Sequence, residues 1–164
     1  MNANKTAIMG DDLFLYIVDE SGTTKQVIAF ASSCELSIEG ETVDMSNKMS
    51  CRWQANKRGN NSYSISSDSL YTQIASDGAS FDDLFKKMVK GDAITWYIGS
   101  PKAMAEDETC EDRNFELDET LRYYTGEAII TSLSLSASTG EIASCSLSLT
   151  GSGEIKQGGS APTA

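Results

Sequence analysis

The stretch Ile129-Ile130-Thr131-Ser132-Leu133-Ser134-Leu135-Ser136-Ala137-Ser138-Thr139-Gly140-Glu141-Ile142-Ala143-Ser144-Cys145-Ser146-Leu147-Ser148-Leu149 decides the fold class. Ile129, Leu133, Leu135 and Ala137, then Ala143, Cys145, Leu147 and Leu149, alternate with Ser or Thr. That period of two puts one side of a strand on a core and the other toward water. Ser138-Thr139-Gly140-Glu141 supplies a turn, so the two runs predict an antiparallel hairpin. Ser132, Ser134, Ser136, Ser144, Ser146 and Ser148 form its other face, small and uncharged. Such a face reads equally as the wet side of a sheet or as the wall of an interface or channel.

The same period recurs upstream. Cys34, Leu36 and Ile38 alternate with Ser33, Glu35, Ser37 and Glu39, and Ile94, Trp96 and Ile98 with Thr95 and Tyr97, the second run ending at Gly99-Ser100-Pro101. Leu13 to Val18 and Val27 to Ala31 are β-rich runs flanking a Gly-containing turn, and read as a hairpin. Tyr63 and Ile65 alternate with serines. Between Gly40 and Asn61 the periodicity fades, predicting a long polar connection with Trp53 in its middle. A connection that long in a small domain is usually functional or disordered.

Ser80-Phe81-Asp82-Asp83 opens the one helix: Ser80 can cap, Asp83 completes a capping box, and the two carboxylates suit the positive end of the dipole. Phe81, Leu84, Phe85, Met88 and Val89 fall at helical spacing and are expected to pack on a sheet, with Gly91 as the stop. One helix among about seven strands predicts a mainly β fold, an antiparallel β-sandwich or partly closed barrel with one flanking α-helix. At 164 residues the chain suits one domain, 1–153, with a long loop at 40–61 and an acidic loop at 104–120. The Gly-, Ser-, Pro- and Ala-rich tail, 154–164, is expected to be flexible.

Composition narrows the function. Lys plus Arg total 13 against 24 Asp plus Glu, a net charge of −11, which disfavours a DNA-binding grip. An acidic wall would, however, let a polyanion slide without sticking. With no His in the chain, the commonest general base and the commonest zinc ligand are missing. Cys34, Cys51, Cys110 and Cys145 stand singly, without metal-ligand spacing. Neither catalytic nor metal or cofactor-binding residues are expected. The first ten residues lack the apolar run of a signal peptide and no segment is long enough to span a bilayer, so a cytoplasmic protein with no membrane partner is expected.

Two charge blocks stand out. Glu106, Asp107, Glu108, Glu111, Asp112, Glu116, Asp118 and Glu119 crowd one excursion opposed only by Arg113. Calcium could use such oxygens, but the Asp-x-Asp-x-Asp-Gly spacing is absent. Conversely, Met45 to Asn61 carries Lys48, Arg52, Lys57 and Arg58 and no carboxylate. A basic arm anchored by Trp53 could meet the acidic excursion of a neighbouring subunit, making Lys48, Arg52, Trp53, Lys57, Arg58, Glu106, Asp107, Glu108, Glu111 and Asp112 candidate inter-subunit contacts. The alternative is a solvated loop whose Trp53 folds back on its own core.

Ile28 to Ile38 runs into Glu41-Thr42-Val43-Asp44-Met45-Ser46, a strand followed by a Glu-Thr-x-Asp-x-Ser segment. Trp53, Ser62 to Tyr71, Phe81-Asp82-Asp83-Leu84-Phe85 with Gly91, and Tyr124 to Leu133 with Thr150-Gly151-Ser152-Gly153 follow in order. This order of features resembles the major tail tube proteins of long non-contractile-tailed phages. The acidic excursion is not part of the pattern.

The resemblance implies a non-enzymatic virion subunit, assembled in the host cytoplasm, that stacks as hexameric rings into a tail tube. It implies a tape-measure protein and tail terminator and tip proteins as partners, and DNA crossing the lumen without specific binding. Other readings are the tube protein of a contractile injection system, or an acidic β-sandwich holding a carbohydrate or protein ligand.

Overall fold

The computed structural model describes residues 10–18, 22–50, 53–71, 78–103 and 115–160. These contain β1 (Phe14–Val18), β2 (Lys25–Val27), β3 (Ala31–Asp44), β4 (Asn56–Leu70), α1 (Phe81–Lys90), β5 (Ile94–Gly99), β6 (Tyr123–Ser136) and β7 (Ser144–Gly158). The strands form one antiparallel sheet in the order β2-β1-β5-β6-β7-β4-β3. It does not close. The sheet curls so that its edges approach without pairing: the Cys34 thiol points at the Leu13 carbonyl, 3.8 Å away.

The curl encloses a single core. Leu15, Ile17, Ile65, Trp96, Ala128, Ile130, Leu147 and Leu149 face inward from successive strands, and Leu84 of α1 joins them. The expected β6–β7 hairpin is present, turned by a Glu141 N–H to Ser138 carbonyl bond of 3.2 Å with Gly140 at φ 87°. The helix also begins and ends as expected. The Asp83 carboxylate accepts from the Ser80 hydroxyl at 2.8 Å, and Gly91, at φ 73°, donates to the Lys87 and Met88 carbonyls.

Three expectations are corrected. Only Leu84 of the helical stripe is buried; Phe85 is 54% and Val89 70% exposed, because the curled sheet covers only the Leu84 side of α1. The connection expected over 40–61 is strand at both ends: β3 runs on to Asp44 and β4 starts at Asn56, leaving a loop of 45–55. A two-stranded ribbon wetted on both faces needs no apolar alternation, since backbone bonds alone hold it. Finally, β7 passes the expected start of a flexible tail and reaches Gly158, because Tyr123 to Thr125 of β6 offer it a ladder and Ile155 packs on the core.

The ribbon leaves the body of the sheet at Tyr63. This side chain bonds the Glu127 carbonyl on β6, two strands away, and its ring packs 5.7 Å from Trp96. The ring can reach across β7 because Gly151 and Gly126 have no side chains: a Cβ at Gly126 would lie 2.8 Å from the Tyr63 hydroxyl, and one at Gly151 would clash with three atoms of the ring.

Candidate assembly surfaces

Among the described residues, no three His, Cys, Asp or Glu converge as a metal site. Cys34 and Cys145 are free, and burial pushes both thiols up, toward the unreactive protonated form. No described helix is long and apolar enough to cross a membrane. What the fold displays is three surfaces.

The first is a bare wall, the side of β3, β4, β7 and β6 facing away from the core. It carries Ser33, Glu35, Ser37 and Glu39 of β3 and Ser64, Ser66 and Asp68 of β4. Ser144, Ser146 and Ser148 of β7 pair across to Ser136, Ser134 and Ser132 of β6, and Thr150 pairs with the exposed Ile129. Asp68 is fixed by hydroxyls, accepting from Ser146 at 2.6 Å and Ser33 at 3.2 Å. Neither Lys nor Arg occurs in 31–40, 61–70, 127–136 or 144–152.

The second surface is a strap on the same side of the sheet at its other end. Residues 115–121, the base of the acidic excursion, lie over β1 and β5. Leu117 is buried against Gly99, and Phe115 packs 5.4 Å from Phe14. Lys25 sits 4.4 Å over the Tyr97 ring and pairs with Glu119, while Lys102 holds Glu116 at 2.7 Å.

The Lys25 ammonium, hydrogen-bonded to Glu119, draws that carboxyl below its ordinary range, and the Thr120 hydroxyl and N–H do the same for Asp118. Folded values below unfolded ones mean the strap's hold is complete above the unfolded carboxylate range and is lost as pH falls through the lowered values. Below about pH 4, the protection of the Leu117 to Leu121 amides, each rate taken relative to an unstructured amide at the same pH, is expected to fall, and Glu119→Gln to remove much of that pH dependence. Protection unchanged down to pH 3 would contradict it.

The third surface is the β3–β4 arm. Its tip is a built loop: Asp44 accepts from the Ser46 N–H at 2.7 Å, the Met45 N–H bonds the Ala55 carbonyl at 2.7 Å, and the Ser46 hydroxyl accepts from the Ala55 N–H at 3.0 Å. The bonds from Ser46 hold the Asp44 carboxyl below its usual range. Trp53 does not fold back on its own core. It is 86% exposed, Met49 is 90% exposed, and Val43 and Met45 are exposed beside them.

Of the candidate contact residues, Lys48, Trp53, Lys57 and Arg58 lie on this arm, with the Arg58 guanidinium bonded to Asn61 at 2.8 Å. Arg52, Glu106, Asp107, Glu108, Glu111 and Asp112 lie outside the described residues. The arm joins β3 to β4 and the excursion joins β5 to β6, so β7 lies between their two pairs of root strands. Periodicity gave no sign of the strap or of the tip's apolar cluster; Met49 and Trp53 in an otherwise polar segment were the available signal.

The sequence model of the phage tail tube protein family matches residues 7–157. The fold is similar to a subunit in the tail of an empty gene transfer agent particle determined with C6 symmetry: TM-score 0.65 at 20% identity, covering 92% of this chain and 98% of that one. It is similar to the SPP1 tail tube, with TM-score 0.66 at 14% identity over 96% of this chain and 82% of that one. A chain of the anti-feeding prophage baseplate gives 0.61 at 12% identity over 93% and 95%. No curated protein matches in sequence.

Proposed function

From the premise that the chain belongs to the phage tail tube protein family, whose members are structural and not enzymes, we propose that six copies close a ring and that rings stack into the tail tube. The sixfold number rests on the symmetry of the similar gene transfer agent tail. In this reading the bare wall lines the lumen. The observation that carries it is the absence of any Lys or Arg from the four strand segments that build the wall. A lining without Lys or Arg gives DNA phosphates no cation to pair with, so the polyanion stays mobile along the axis. The strap, at the β1 and β5 end of the sheet, then lies outside the lumen.

The tube is assembled in the host cytoplasm around a tape-measure protein, is closed by terminator and tip proteins, and then passes DNA. Lys48, Arg52, Trp53, Lys57 and Arg58 of the arm contact a neighbouring subunit, and Glu106, Asp107, Glu108, Glu111 and Asp112 offer that neighbour negative charge.

Negative-stain electron microscopy of the purified protein across concentration and salt tests the reading. Tubes or stacked annuli with an open channel are expected; a uniform monomer at every concentration and salt, even with tail-tip complex added as initiator, would sink it. Changing Lys48, Arg52, Lys57 and Arg58 together to Ser is expected to shorten the tubes and to weaken the dependence of their length on salt. Unchanged length and salt response would remove the arm's charge from the interface.

A further inference from the structure

Phe30 is the one described non-glycine residue with positive φ, at 51°. The left-handed region strains an aromatic residue, and Phe30 is not buried in exchange but stays 53% exposed. Its carbonyl accepts from the Leu70 N–H at 3.0 Å, and the Tyr71 N–H donates to the Ala143 carbonyl at 2.8 Å. These bonds place Phe30, Leu70 and Ile142 along one rim, all exposed, Ile142 by 73%.

This rim lies at the opposite end of the β3–β4 ladder from the arm tip: Ala31 pairs with Ser69 at one end and Asp44 with Asn56 at the other. At about 3.3 Å per residue the two ends are roughly 40 Å apart, so a chain cannot cover its own rim with its own tip. Two apolar patches at opposite ends of one subunit make a heterologous, head-to-tail contact, which propagates into a filament. Charge agrees. The tip carries Lys48 and Lys57, while Asp68, Asp82 and Glu141 stand on the segments around the rim, where Lys86 lies 3.7 Å from Asp83.

We propose that the rim of Phe30, Leu70 and Ile142 is the receiving surface for Met49 and Trp53 at the arm tip of a second copy of this chain. This rests on the tube reading and adds the partner of the arm. Phe30 is held in its strained conformation because it presents its ring to that tip.

The test uses Phe30→Asn and Ile142→Ser in the full chain. Asn accepts the left-handed region, so Phe30→Asn is expected to leave the subunit's melting temperature equal or higher while raising the concentration needed for tube growth at least tenfold. Met49→Cys and Ile142→Cys subunits, mixed and oxidised, are expected to give a 49-to-142 cross-link by peptide mass spectrometry in tubes and not in dilute monomer. Trp53 emission should shift to shorter wavelength on assembly, since Trp96 is already buried. Tubes that form normally from Phe30→Asn and yield no such cross-link would overturn the rim while leaving the tube reading intact. No tubes from the unaltered chain with initiator present would overturn both.

Discussion

Gly151→Ala is expected to destabilise the subunit by about 3 kcal/mol, the upper end of what overpacking a core costs. The new methyl group would occupy the space of the Tyr63 ring. Tyr63 cannot step aside, because its hydroxyl is bound to the Glu127 carbonyl and its ring is packed against Trp96, which is fully buried. For a chain of this size the melting temperature falls by about 10 °C. Tyr63→Ala alone should cost a similar amount. The two together should cost far less than their sum, since the methyl then enters space already emptied. Urea denaturation of the four proteins measures the cycle; additive effects, or a cost below about 1 kcal/mol for Gly151→Ala, would show that the ring is not locked in the glycine notch.

That notch illustrates which parts of the fold were legible. Alternation disclosed the β6–β7 hairpin and β5 because each buries one face, and the cap residues Ser80, Asp83 and Gly91 disclosed both ends of α1. Tyr63 and Gly151 could each be read as a strand residue, but their meeting depends on β4 and β7 becoming neighbours, a tertiary fact without a local signal. The arm was hidden for the opposite reason: past Gly40 and Asn61 the ribbon has no buried face, so the pattern that reveals strands vanishes while the backbone ladder continues. Phe85 and Val89 have helical spacing yet stay exposed, because spacing tells which residues share a face and not how much of that face the fold covers. The wall's chemistry was written openly in the serine runs; its role needed the strand order that unites four of them on one side.

Lysine at Ser66 and Ser134 is expected to leave folding and tube growth intact while lowering DNA delivery by on the order of 100-fold. Both serines are exposed and point from the wall. Neither hydroxyl holds Asp68, whose hydroxyl partners are Ser33 and Ser146. An exposed Ser-to-Lys change on a strand's wet face costs only a few tenths of a kcal/mol, so subunit stability is a control and not the readout. If the wall lines the lumen, every ring then offers ammonium groups to passing phosphates, and released counterions hold the DNA where it should slide. The block should ease as salt is raised, because the attraction is screened. Particles carrying the lysines can be compared with particles carrying Gln at the same positions, which add similar bulk without charge. Equal loss from Lys and Gln would point to a narrowed channel; no loss from either would place the wall away from the DNA path and return the lumen to another face of the subunit.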